Sequence, residues 1–417
     1  MLVAFLVAVI VFLLIVIWSL RRHREPVLRI ETDASLEELI PSLVGLSHGV
    51  LIDGNSVELL ENGAFFEVLL DEMAAARGSV HLENYIWEDG ELSRRVAGVL
   101  VERARAGVPI RVLVDAFGSK GMADETEREL QAAGCQVRRF HKGRIRQIGH
   151  QNERDHRKLC VIDGRTAFLG GHCIKDNWLG NAEDKLHYRD VSVRLKGPVV
   201  HAAQATFSEN WIEESGEVFV GDDVFPPLEP AGDVAVHLAR VKPSGNAAPA
   251  VRILYHLLIC MARRRLYLQN PYFLPGDGAI EALGRAAERG VDVRIMVPAA
   301  SVSDLPIVQH AAHANFTRLL GLGVRIFEYQ KTLLHQKAIT ADGVWCSLGS
   351  ANFDERSLGI NDEIVAGFCD RRLAARLEEI FHADARHCVE LELPVWDKRG
   401  FWHRCKDNAA YTMKYQI

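Results

Sequence analysis

The chain has 417 residues, 48% hydrophobic and 25% charged, with 49 Lys and Arg against 55 Asp and Glu for a formal net charge of -6. That length suits two domains of roughly 100–200 residues each, and the composition excludes a disordered chain, a collagen and a disulfide mini-protein. The eight cysteines (Cys135, Cys160, Cys173, Cys260, Cys346, Cys369, Cys388 and Cys405) are scattered with no Cys-x-x-Cys pair, a pattern of reduced thiols in a reducing compartment rather than of disulfides or a metal centre.

From Met1 to Leu20 there is no charged residue. At about 1.5 Å rise per residue such a helix reaches roughly 30 Å, the thickness of a hydrocarbon core. No basic residue precedes the apolar run and no small-residue cleavage site follows it, so residues 1–20 are expected as a transmembrane anchor and not as a cleaved signal. Trp18 then marks the interface, and Arg21, Arg22 and Arg24 place the downstream body on the cytoplasmic side of the inner membrane. Residues 21–45 are expected to be a linker.

The body repeats itself, the signature of a duplicated supersecondary unit. Val80-His81-Leu82-Glu83-Asn84-Tyr85-Ile86-Trp87 resembles Leu266-Tyr267-Leu268-Gln269-Asn270-Pro271-Tyr272-Phe273. A helical pattern follows each, closed by Gly107 or Gly290, and then a strand (Ile110-Arg111-Val112-Leu113-Val114 or Val293-Arg294-Ile295-Met296-Val297). Alternating strand and helix predict two α/β units with mostly parallel sheets, at residues 46–225 and 226–395. A Pro-, Gly- and Asp-rich boundary near 221–245 lies between them, and a tail packs on the body over 396–417. Gly118-Ser119-Lys120-Gly121 lacks phosphate-loop spacing and reads as a strand-end loop.

His156-x-Lys158-x4-Asp163 in the first half recurs as His335-x-Lys337-x4-Asp342 in the second. Each pattern runs into Asp-Gly, a strong two-residue hairpin signal. Counting back from such a turn sets His156 opposite Gly171 and His335 opposite Ser350, and strand alternation puts each histidine on one face with its lysine. The small residues opposite would leave room for a substrate group. A lone histidine in a strand is most often a packed residue, but two copies at identical spacing point to chemistry: histidine attacking phosphorus while lysines and the amide of Asn352 neutralise the equatorial oxygens. Asp163 and Asp342 belong to the motif but sit at the far end of the hairpin, as turn-fixing residues. Asp190 and Glu363, each opening a strand 34 and 28 residues after its own half's histidine, are the candidates for orienting an imidazole.

Together with the tails Gly170-Gly171-His172-Cys173 and Gly349-Ser350-Ala351-Asn352-Phe353-Asp354-Glu355-Arg356-Ser357, the doubled motif resembles the phospholipase D superfamily and specifically its bacterial cardiolipin synthases, over roughly residues 46–395. The resemblance implies two similar phospholipase D-like α/β domains related by a pseudo-twofold axis, with one active site at their interface and neither metal nor organic cofactor. It also implies a phosphohistidine intermediate, with His156 as nucleophile and His335 as general acid. Cys173 departs from the family pattern, which places an asparagine there, so phosphate stabilisation is expected to lean on Asn352, Lys158 and Lys337. His172 has no role assigned from sequence.

Residues 138–158 hold eight Lys or Arg against Glu153 and Asp155. Interleaved Phe140, Ile145 and Ile148 suit this run to an anionic lipid surface, where each basic residue contributes about 1 kcal/mol. The expected partners are anionic phospholipids, phosphatidylglycerol among them, and the membrane; no nucleic acid is expected. The rival readings are a hydrolytic phospholipase D, a nuclease, and a non-catalytic lipid binder that kept the fold.

Overall fold

The apolar, β-branched runs of the repeat become strands, and the stretches between them become helices laid on the sheet. The computed structural model describes residues 5–7, 9–13, 30, 32–141, 153–242 and 249–412. Within them the first half runs α1 (Leu36–Leu46), β1 (Leu51–Glu61), α2 (Ala64–Ala74), β2 (Val80–Asn84), α3 (Glu91–Arg105), β3 (Ile110–Asp115), α4 (Asp124–Ala132), β4 (Gln136–Phe140), β5 (Leu159–Ile162), β6 (Thr166–Gly170), β7 (Val191–Lys196) and α5 (Val200–Ser215). The second runs β8 (Val234–Val241), α6 (Ala250–Met261), β9 (Arg265–Gln269), α7 (Asp277–Glu288), β10 (Asp292–Pro298), α8 (Pro306–Gly321), β11 (Arg325–Tyr329), β12 (Ala338–Ala341), β13 (Trp345–Gly349), β14 (Glu363–Cys369), α9 (Arg371–Ala385), β15 (Cys388–Glu390), α10 (Leu393–Trp396) and α11 (Phe401–Tyr411).

Among the described residues the strands form one continuous sheet with a seam where β1 pairs antiparallel with β8. Outward from the seam the order is β1-β7-β6-β5-β2-β3-β4 on one side and β8-β14-β13-β12-β9-β10-β11-β15 on the other. Apart from β15, the two sides match strand for strand. Strands β2–β4 and β9–β11 are parallel and are reached through helical crossovers that cover their faces. The other neighbouring strands pair antiparallel, so the sheet is mixed and not mostly parallel as expected, because the motif hairpins return the chain directly. Helices α3 and α7 end beyond Arg105 and Glu288 at Gly107 and Gly290, whose φ of 90° and 88° is the left-handed conformation that costs glycine nothing. A third core is shared: Leu159, Val161 and Val193 of the first half pack with Leu348, Ile364 and Phe368 of the second, so the halves are joined by burial as well as by the seam.

Two segments differ from expectation. The stretch 221–245, expected as a boundary, contains β8 at the centre of the sheet, because Val234, Val236, Ala239 and Val241 are buried in the cores on either side of it. Residues 21–45, expected as a linker, include most of α1, which starts at a capping box between Ser35 and Glu38. Its Leu36, Ile40, Leu43 and Val44 join the second half's core with Val251 and Leu254, contributing about 1.5–3 kcal/mol per buried side chain. Of the anchor segment, residues 5–7 and 9–13 are helical, and Phe5, Leu6, Phe12 and Leu13 are exposed, 50–66% of their surface facing away from the rest of the chain. No helix among the described residues is long and apolar enough to cross a membrane.

Candidate active site

Each motif hairpin turns on an Asp-Gly pair in the left-handed region, with φ of 54° and 61° at Asp163 and Gly164 and 55° and 69° at Asp342 and Gly343. Arg165 N–H donates to Ile162 O at 3.0 Å and Val344 N–H to Ala341 O at 3.1 Å. The ladders nevertheless pair Ile162 with Thr166 and Ala341 with Trp345, one residue later than a plain two-residue loop gives. Arg165 and Val344 are the extra residues of a bulge. The aspartate carboxylates accept from three consecutive backbone N–H groups, those of Arg77, Gly78 and Ser79 at Asp163 and of Arg263, Arg264 and Arg265 at Asp342. They pin each turn to the chain entering β2 or β9, and they are not part of the histidine cluster.

Because β5 and β12 begin only at Leu159 and Ala338, the histidines precede the strands, and the expected pairing of His156 with Gly171 and His335 with Ser350 is replaced by a docking across the halves. Asp155 forms a parallel bridge with Asp362, and Leu334 one with Arg189. His156 N–H donates to Asp362 O at 3.0 Å, and His335 N–H to Arg189 O at 2.7 Å. Each histidine thereby lands beside the acid that opens the other half's strand. His156 Nδ1 lies 2.8 Å from Glu363 Oε1, and His335 Nδ1 lies 2.9 Å from Asp190 Oδ2. The acids serve the opposite histidines, not those of their own halves.

The space opposite the imidazoles holds these carboxylates. A Cβ at Gly171 would stand 2.5 Å from Asp190 Oδ2, and the Ser350 hydroxyl donates to Glu363 Oε2. Gly171→Ala is therefore expected to push Asp190 off its imidazole. Overpacking of this kind costs about 1–3 kcal/mol of stability, and a misplacement near 1 Å costs about 10²-fold in turnover. Parallel assays of melting and activity check this, and a fully active alanine variant would show that the carboxylate has slack.

Lys158 Nζ donates to His156 O at 2.6 Å and Lys337 Nζ to His335 O at 2.8 Å, so each lysine folds back over its own histidine. Lys337 Nζ also stands 3.0 and 3.1 Å from the two ring nitrogens of His335. Aromatic edges wall the site: Tyr85 against His156 with centroids 4.7 Å apart, and Trp178 against His335 at 4.9 Å. Trp178 Nε1 also donates to Asp190 Oδ2 at 2.9 Å.

The two imidazoles differ electrostatically. Burial, then Lys158, Lys337 and Arg356, hold His156 well below the usual histidine range. Burial and Lys337 bring His335 down to about 4 against the upward pull of Asp190. Burial alone would raise Asp190, but His172, His335 and Lys337 outweigh it and keep that carboxyl below the usual range. Glu363, by contrast, is raised by burial to about 7 despite Lys158 and Ser350. Burial also brings Lys337 down to about 8. One pair thus couples a histidine to a firmly ionised carboxylate, and the other surrounds a neutral histidine with cations.

The family description "Cardiolipin synthase, PLD-like domain" matches residues 69–211 and 256–385. This chain belongs to the phospholipase D-like cardiolipin synthase family. It is 31% identical over 379 residues to the major cardiolipin synthase of Bacillus subtilis, covering 90% of this chain and 78% of that one. It is 34% identical over 366 residues to the cardiolipin synthase of Geobacillus thermodenitrificans, covering 87% and 72%. The fold is also that of the phosphatidylserine synthase of Haemophilus influenzae, with TM-score 0.69 over 89% of this chain and 98% of that one at 13% identity.

The remaining sequence candidates of this cardiolipin synthase family member fall into two groups. Asn352, two residues past Ser350, is buried with its Oδ1 lacking a hydrogen-bond partner. Cys173 is packed in the first half's core, where burial pushes its thiol up and keeps it un-ionised, so it supplies no reactive thiolate. His172 acquires a place. Its Nε2 lies 3.0 Å from Asn62 O, its Nδ1 2.6 Å from Ser192 Oγ, and its ring stacks on Phe65. Since a carbonyl only accepts, His172 carries its proton on Nε2 and receives the Ser192 hydroxyl on Nδ1.

The basic run is less of a surface than its composition implies. Arg157 is fully buried, donating to Thr206 O, Glu209 Oε2 and Val241 O; Lys158 lies in the site; Arg139 pairs with Glu127 at 2.6 Å; and Phe140 is a core residue. Lys142, Arg144, Ile145, Arg146 and Ile148 lie outside the described residues. Tyr85, Trp178 and Arg356 escaped the sequence reading of the site. Tyr85 directly follows Asn84 in the repeated strand and Arg356 lies in the tail after Asn352, so both carried a local signal, whereas Trp178 lies in neither.

Proposed function

We propose that this protein is a membrane-anchored cardiolipin synthase that moves a phosphatidyl group onto phosphatidylglycerol through a phosphohistidine at His156, using two phospholipase D-like units at residues 46–225 and 226–395. The observation that carries the reading is the crossed pair of histidine–carboxylate contacts, which makes one site out of two motifs. An ionised Glu363 accepts a hydrogen bond from Nδ1–H of neutral His156 and fixes that tautomer, so the Nε2 lone pair attacks phosphorus. Protonated His335 gives its proton to the departing alkoxide as the P–O bond breaks, releasing an alcohol, which is glycerol when phosphatidylglycerol is the donor. Neutral His335 then takes the hydroxyl proton of the incoming phosphatidylglycerol, whose oxygen displaces His156 and leaves His335 protonated for the next cycle.

Lys158, Lys337 and Asn352 are assigned to the phosphate oxygens, with Cys173 contributing none of the amide hydrogen bonding of its counterpart. A bound phosphodiester adds the negative charge that lifts His335 toward its acid form. The charge-free residues 1–20 anchor the body at an anionic leaflet, with Arg21, Arg22 and Arg24 on the cytoplasmic side. Lipid mass spectrometry of the purified full-length protein on phosphatidylglycerol vesicles tests this. Cardiolipin with stoichiometric glycerol is the expected result, while phosphatidic acid alone would replace the transferase reading with a hydrolase.

A further inference from the structure

The last described helix meets α8 through a set of donors that the phosphoryl-transfer chemistry does not use. His310 and His313 lie one turn apart on α8, and His403 and Asp407 one turn apart on α11, so each pair shares a helix face. The four ligand atoms lie within 4.8 Å of one another. His310 Nδ1 is 2.9 Å, His403 Nε2 3.5 Å and His313 Nδ1 3.7 Å from Asp407 Oδ1, and His313 Nδ1 is 3.3 Å from His403 Nε2. Donors bound at about 2.0–2.1 Å to a tetrahedral ion stand roughly 3.3 Å apart, close to this spread.

Two further observations point to an ion. His313 turns its other nitrogen, Nε2, to Glu328 Oε1 at 3.0 Å, the outer carboxylate that characteristically orients a ligating imidazole. Asp407 is 1% exposed and turns Oδ1 to the three histidines, while Oδ2 faces Arg399 at 3.7 Å, itself laid over the Trp396 ring at 3.5 Å.

We propose that His310, His313, His403 and Asp407 form a structural site for a divalent transition-metal ion of the zinc class, which fastens α11 to α8. Three imidazoles and one carboxylate form a donor set that favours zinc or its neighbours over magnesium or calcium. The ion holds in place a helix that begins with Phe401 and Trp402, exposed by 66% and 79%, and it takes no part in the reaction at His156.

The test uses tag-free full-length protein in detergent, stripped by a chelator and titrated with zinc(II) or cobalt(II). Expected are one equivalent bound per chain, a higher melting temperature, and the intense visible absorption of four-coordinate cobalt. His403→Gln and Asp407→Asn should each weaken binding at least about 100-fold and abolish the cobalt band. Glu328→Gln, which leaves every ligand in place, should weaken it about 10–100-fold. His141→Gln, in the separate cluster with Glu213 and Glu214, should change nothing. Wild-type protein that takes up no stoichiometric metal overturns the site, as does a cobalt band that survives in both His403→Gln and Asp407→Asn.

Discussion

His156→Ala is expected to lower cardiolipin formation by at least about 10⁴-fold, since removing the nucleophile of a covalent mechanism leaves only binding and electrostatics to work with. His335→Ala, which loses the proton donor of the first step and the base of the second, should cost about 10²–10⁴-fold. The proposed roles, taken from the family resemblance, accord with the surroundings. Burial, Lys158, Lys337 and Arg356 disfavour a proton on His156 and so preserve a lone pair; burial and Lys337 also bring His335 down to about 4, but there the ionised Asp190 pulls the other way. Rapid quenching with phosphatidylglycerol, followed by peptide mapping, should find an acid-labile phosphatidyl adduct on His156 in the His335→Ala protein and none in the His156→Ala protein. An adduct on His335 in the latter would exchange the two roles.

The second large effect lies in the pH profile of Asp190→Asn. Asp190 is held below the usual carboxylate range, so it is an anion throughout the working range and raises the pKa of His335. The general acid must be protonated to act, so it sets the alkaline limb of the profile. Taking the anion away lowers the pKa of His335, and the alkaline limb of kcat should move to lower pH, with a loss of about 10²–10⁴-fold at neutral pH. Glu363→Gln should cost less, because burial raises Glu363 to about 7 and its carboxyl is already partly neutral there. An unmoved alkaline limb in Asp190→Asn, or a larger loss in Glu363→Gln, would reject this division of labour.

Much of the site was legible because its signals are local. A histidine and a lysine two residues apart, an Asp-Gly turn and a glycine-closed helix are properties of a few consecutive residues, and their recurrence at equal spacing marked them as chemistry. Spacing also misled where a local rule met a neighbouring segment. The turns gained a bulge at Arg165 and Val344 while the carboxylates of Asp163 and Asp342 were drawn to the chain entering β2 and β9. Arg157 and Phe140 counted as surface by composition, yet the shared core and the interface between the halves took them in. The cluster on α8 and α11 has no local signature, because its two halves, His310 and His313 against His403 and Asp407, stand about ninety residues apart in the chain.

The sequence by itself determined the two α/β repeats, the doubled His-x-Lys motif, the two strand-opening acids and the charge-free segment before Trp18, since each follows from periodicity or from contacts within a few residues. Only the tertiary structure decided which acid serves which histidine. Two nearly equal halves offer two nearly equal pairings, and the choice between them was made by the parallel bridges of Asp155 with Asp362 and of Arg189 with Leu334. Those contacts join residues more than 140 positions apart, and they form because docking buries the core that the halves share.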